Sequence, residues 1–145
     1  MYKNRYNLIC YNTYGGIDMN KYILDFLKDI MAIDSPSGYN KKVIHYCQKE
    51  AEKLGFQTKK THKGNLEIYV EGQDDYTIGF CGHVDTLGLM VRSIKSDGTL
   101  AFTNVGGPII PTLDGEYCRI HTRSGKCYTG TILSNYPAVH VYKEA

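Results

Sequence analysis

Apolar residues recur at helical spacing early in the chain. Between 20 and 33 they are Tyr22, Ile23, Phe26, Leu27, Ile30 and Met31, a stripe that predicts an amphipathic helix. Asp18 or Asn20 can cap its start. Asp34-Ser35-Pro36-Ser37-Gly38 ends it, because Pro36 biases Ser35 away from the α region. Val43, Ile44, Cys47, Ala51 and Leu54 predict a second helix over 40–54, with Gly55 as the residue just past its end. Two stretches, 56–61 and 66–70, then read as strands around a turn at Lys63-Gly64-Asn65. Thr77-Ile78-Gly79-Phe80 reads as a buried strand running into Cys81-Gly82-His83-Val84-Asp85. Beyond Asp85 no helical period returns. Strand patterns occupy 87–94, 100–104, 117–122 and 127–133, with turns at Ser96-Asp97-Gly98-Thr99 and Arg123-Ser124-Gly125-Lys126 and a break at Gly106-Gly107-Pro108.

This order predicts an α/β lobe followed by an all-β lobe, a small barrel or sandwich, dividing near residue 86. The resulting organisation is an extension over 1–18, an α/β part over 19–86 and a β part over 87–145. The extension has no period of either kind. Two readings of it stand: Met19 is the native start and what precedes it is an upstream addition, or it is an ordinary disordered arm.

Composition narrows the class. The 145 residues are 42% hydrophobic and 22% charged, with a formal charge of +2, which are globular values. Lys and Arg are scattered among acids, so no nucleic-acid footprint stands out. Lys59-Lys60-Thr61-His62-Lys63 reads as a solvated turn region. No apolar run approaches the roughly 20 residues needed to span a bilayer, and 1–10 lacks the apolar core of a secretory signal. The five cysteines are odd in number and form no Cys-x-x-Cys pair. Reduced thiols in the cytoplasm are the simplest reading.

The candidate chemistry sits at Gly82-His83-Val84-Asp85. A strand ending in this motif presents an imidazole and a carboxylate at the carboxyl edge of a sheet, where open α/β folds place their sites. Asp85, two residues on, can hold one ring nitrogen and leave the other for a metal. It could equally cap a turn, and a lone His at a strand end can be purely structural. His45 and Cys47 do not share a helix face. His62, His121 and His140 have no metal-ligand spacing to His83. No Gly-x-Ser-x-Gly supports a serine hydrolase, and nothing beside Cys81 signals an oxyanion hole.

The stretch from Gly82 to Val91 resembles the His-x-Asp segment of the glutamyl (deblocking) aminopeptidases, the dinuclear metallopeptidase family that includes the tetrahedral aminopeptidases. Ser35-Pro36-Ser37-Gly38, Lys63-Gly64-Asn65, Asn104-Val105-Gly106-Gly107 and Gly130-Thr131-Ile132 resemble further landmarks in the family's order. The resemblance covers about 19–145. Pro108 departs from it, standing where many relatives have Trp.

The resemblance implies an α/β catalytic domain into which a β-barrel dimerisation domain is inserted just after the His-x-Asp strand. It implies two divalent metal ions, zinc or cobalt, with His83 as a metal ligand and Asp85, counted with the catalytic residues, as the carboxylate that orients it. It further implies peptide substrates, a homo-oligomer and a cytoplasmic location, without nucleic acid or membrane partners. The family's bridging Asp, Glu base, further carboxylates and last His lie beyond the inserted domain, within which this sequence ends. The expectation is therefore an amino-terminal piece of a metal-dependent aminopeptidase, inactive and poorly soluble alone. The alternative is a non-catalytic interaction or dimerisation module derived from the same family.

Overall fold

A computed structural model describes residues 13–14, 17–73, 75–134 and 140, with side chains from Asp18 onward. The chain forms two compact units that divide between Gly106 and Gly107.

The first unit opens on a minimal antiparallel pair, β1 (Thr13–Tyr14) and β2 (Ile17–Asp18). The other residues of 1–18 lie outside the described ones. Helix α1 (Met19–Ala32) starts at Asp18, whose carboxylate accepts from the backbone N–H groups of Asn20 and Lys21 at 3.1 and 3.3 Å. These are two of the donors that a helix start leaves unsatisfied. Of the two capping candidates, Asp18 is the one used. Helix α2 (Lys41–Lys53) ends in a paired closure. The N–H of Gly55 donates to the carbonyl of Glu52 at 3.0 Å, and that of Phe56 to the carbonyl of Ala51 at 3.0 Å, which is the Schellman arrangement.

The two helices meet through aromatic rings and one polar tie. Phe26 stacks between Tyr22 and Tyr46, with centroids 6.2 and 5.8 Å away. The Tyr46 hydroxyl donates to Asp29 Oδ2 at 2.6 Å, and that carboxylate raises the phenol above its ordinary range. Val43 and Ala51 on α2 are the buried apolar residues among those described. Only half of the α1 stripe is covered: Tyr22, Phe26 and Ile30 are half-buried, while Ile23, Leu27 and Met31 are exposed.

Strands β3 (Gln57–Lys60) and β4 (Leu66–Tyr69) form a hairpin packed on α2. Strands β5 (Gly88–Ile94) and β6 (Leu100–Val105) form a second, with a bulge between Val91 and Ser93. In the second unit, a 3-10 turn (Ile110–Leu113) precedes a third hairpin, β7 (Tyr117–His121) and β8 (Cys127–Thr131).

The three hairpins share one loop. Gly64, Gly98 and Gly125 donate to the carbonyls of Thr61, Lys95 and Thr122 at 3.0, 3.0 and 3.1 Å. Each glycine has φ near the left-handed region, at 90°, 84° and 84°. This is a type I turn followed by a glycine bulge, whose twist matches that of the flanking strands. It explains why Lys63-Gly64, Asp97-Gly98 and Ser124-Gly125 recur at the tips.

One sequence expectation fails. Residues 77–80 are not a buried strand: they lie in no ladder, Ile78 is exposed, and Phe80 is 95% exposed. A strand requires neighbours for its N–H and C=O groups, and among the described residues 77–85 have none at ladder register. Among the described residues, the bridge outside the named strands is parallel and comes just after, from Pro36 to Thr86. The sheets are all two-stranded and antiparallel among the described residues. Helices and strands are thus mixed as expected, without the continuous layer that the α/β reading called for.

The bridge also fixes where β5 begins. A Cβ added at Gly88 would lie 2.5 Å from Cβ of Pro36, so the β5–β6 hairpin rests against the 35–38 loop through a residue with no side chain. The β5–β6 hairpin belongs to the first unit.

Candidate functional site

The site is built where two distant segments cross. Ser35, fully buried, donates its hydroxyl to the carbonyl of Val84 at 3.0 Å, and its own carbonyl accepts from the N–H of Thr86 at 2.9 Å. Two hydrogen bonds on either side of Asp85 therefore pin this backbone to the 35–38 loop. Pro36 gives the loop its turn geometry, and the Tyr39 N–H closes it on the Pro36 carbonyl at 2.7 Å.

Held in this way, Asp85 reaches two partners. Its Oδ1 lies 3.2 Å from Nδ1 of His83. Its Oδ2 accepts the hydroxyl hydrogen of Ser37. The backbone carbonyl of Asp85 also lies 3.2 Å from the same Nδ1. Both acceptors face Nδ1, so in the neutral ring that nitrogen carries the proton and Nε2 is the lone pair. Nε2 has no partner among the described residues, and the His83 side chain is 85% exposed against 36% for Asp85.

Ser37 is the first cause that holds the Asp85 carboxyl below its ordinary range; burial opposes it, and His83 adds to it. The sign follows. A carboxylate depressed in the folded state stabilises it above the unfolded value, near 3.9, and that contribution is lost as pH falls through the folded value. The 35–38 loop is therefore expected to stay docked at neutral pH and to loosen below about pH 4. Exchange of the Thr86 amide checks this. Protection that falls on acidification fits, and protection that stays level while Asp85 protonates does not.

A cleft of about 520 Å³ opens beside the motif. It is lined by Tyr22 and Phe26 of α1, Ile44 and Cys47 of α2, Leu66 and Ile68 of β4, and by His83 and Asp85. Its walls are mostly apolar, and Glu50, His83 and Asp85 are among the titratable groups that line it.

His45, His62, His121 and His140 are each exposed. Cys47, Cys81, Cys118 and Cys127 are free thiols. No group of three His, Cys, Asp or Glu side chains could hold an ion among the described residues. One imidazole with its carboxylate does not fit a catalytic metal site, which needs about three protein donors and an open position. Sequence patterns read 35–38 as a helix stop and a landmark, and so missed Ser35 and Ser37 as the residues that hold the motif. The contact spans 48 positions, and no periodicity reports on it.

The family profile described as M42 glutamyl aminopeptidase matches residues 64–145. The chain belongs to that family. It is 42% identical over 123 residues to the Bacillus subtilis (strain 168) protein named "Putative aminopeptidase YhfE", a match spanning 84% of this chain and 36% of that one. It is 28% identical over 106 residues to the glutamyl aminopeptidase of Lactococcus lactis subsp. cremoris (strain MG1363), covering 72% and 30%. Among solved structures it resembles the TET aminopeptidase of the marine sediment archaeon Thaumarchaeota archaeon SCGC AB-539-E09, at TM-score 0.75 and 26% identity over 84% of this chain and 34% of that one. It also resembles the TET1 peptidase of Pyrococcus horikoshii, which can assemble into a tetrahedron or a large octahedral shell, at TM-score 0.67 and 28% identity over 81% and 34%. The chain thus spans about a third of the length of these relatives.

Proposed function

We propose that this sequence is the amino-terminal third of a metal-dependent aminopeptidase that removes N-terminal residues from peptides. The observation that carries the reading is the His83–Asp85 pair: a carboxylate 3.2 Å from Nδ1 with Nε2 bare, in a chain belonging to a family of aminopeptidases. Metal-binding histidines usually have their other nitrogen held in this way. In this reading His83 is one ligand of a divalent ion, zinc or cobalt, and Asp85 orients it. The remaining ligands and the general base come from residues outside the stretch of the relatives that this chain spans. The chain alone is then inactive, because one imidazole cannot hold an ion in place.

The same reading assigns β5 to β8 to an inserted barrel that makes subunit contacts. It also assigns the protein a homo-oligomeric state and a cytoplasmic location. The oligomeric state is supported by the assembly of the Pyrococcus horikoshii relative.

The test is a chimera in which this sequence replaces the matched third of a relative. It is expected to release N-terminal residues from peptides, to lose that activity to a chelator and to regain it with zinc or cobalt. The 145-residue chain alone is expected to show none. Chelator-insensitive hydrolysis by the chimera would contradict the metal dependence.

A further inference from the structure

The His-x-Asp pair is usually sufficient to describe how such an imidazole is aimed. Here the carboxylate has a second partner from a segment far away in sequence. Left to itself, an exposed Asp side chain rotates about its terminal bond and offers either oxygen, or neither, to the ring. Asp85 is not left to itself. Oδ2 accepts the Ser37 hydroxyl while Oδ1 faces Nδ1 of His83. Two anchored oxygens fix the carboxylate plane. The backbone that carries it is fixed too, by Ser35 through the Val84 carbonyl and the Thr86 N–H.

We propose that Ser37 is a positioning residue for His83: by holding Oδ2 of Asp85 it keeps Oδ1 on Nδ1–H and so holds the imidazole in the tautomer with a bare Nε2. The role deepens the reading of His83 as a metal donor and rests on it for its purpose. Its physical effect needs no ion and can be read without one. The chemistry is a relay: the hydroxyl donates to the carboxylate, whose Oδ1 lies 3.2 Å from Nδ1, beside the backbone carbonyl that is the hydrogen-bond partner of the ring. A hydrogen bond to an ionised group is stronger than a neutral one, so removing the hydroxyl weakens the hold on the ring without touching it. The Asp85 backbone carbonyl, also 3.2 Å from Nδ1, keeps part of the preference, so the expected effect is graded rather than total.

Ser37→Thr and Ser37→Val test this, since they place nearly the same shape at 37 with and without a hydroxyl. Nitrogen-15 shifts of His83 in the 145-residue chain, recorded at about pH 8.5, report the ratio of the Nδ1–H to the Nε2–H form. The Thr86 amide shift reports whether the loop stays docked. Thr is expected to keep the wild-type ratio, and Val to lower it by roughly threefold or more, with Thr86 unmoved in both. Asp85→Asn is expected to shift the ring further, because its amide can donate to Nδ1. Equal ratios in Thr and Val, with Asp85→Asn shifted, would overturn the role of Ser37 and leave that of Asp85 standing. A ratio unchanged by Asp85→Asn would overturn both. A Thr86 amide displaced in Val alone would place the hydroxyl's effect in the loop and overturn the relay.

Discussion

In a chimera of the relatives' full length, His83→Ala is expected to abolish peptide cleavage by more than about 100-fold, and Asp85→Asn to lower it by about 10- to 100-fold. The difference in size follows from the geometry. His83 carries the bare Nε2, whereas Asp85 acts through Nδ1 at 3.2 Å. Removing the ring removes a donor outright. Changing the carboxylate to an amide leaves the donor in place but weakens its orientation and lowers its basicity. Metal content should follow the same order, lower in His83→Ala than in Asp85→Asn. Initial rates on a short peptide, with metal counted in the same samples, check both. A His83→Ala protein of unchanged rate and metal content would make the ring a packing residue, although its 85% exposure leaves it little to pack against.

The second large effect is on stability. Val43→Ala is expected to cost about 1.5–3 kcal/mol, from two lost methyl groups and the cavity they leave. The position matters because so little else is buried. Val43 is fully enclosed and Ala51 nearly so, whereas Ile23, Leu27 and Met31 of α1 and Ile68 and Tyr69 of β4 remain exposed. Folded domains are held by only about 5–15 kcal/mol, and a chain with this core sits at the low end. A urea or thermal midpoint measured beside an exposed control such as Met31→Ala checks it. A Val43→Ala midpoint within the range of that control would show that α2 does not anchor the first unit. The exposed apolar surface also predicts self-association on expression alone.

The elements were legible where their signals are local. Asp18, the Pro36 stop and Gly55 bound the two helices within a residue or two. The three hairpin tips were legible because a type I turn with a glycine bulge needs its glycine at one position, and Gly64, Gly98 and Gly125 occupy it. The failure at 77–80 has the opposite cause. Alternation and apolar content report that a segment could be a strand, but strand formation depends on a partner, and the sequence of Ile78 and Phe80 says nothing of what lies beside them. The motif His83–Asp85 was legible because its two members are neighbours. Ser37 was not, because its role depends on a crossing between 35–38 and 84–86 that exists only in three dimensions.

In the proposed reading, Nε2 of His83 donates to a metal ion while Asp85 holds Nδ1. The most direct measurement is a crystal structure of the full-length chimera with zinc, with the ion located by its anomalous scattering. An ion is expected about 2.0–2.1 Å from Nε2 of His83, with Asp85 at hydrogen-bond distance from Nδ1. An ion bound by other residues, with His83 unliganded, would contradict it.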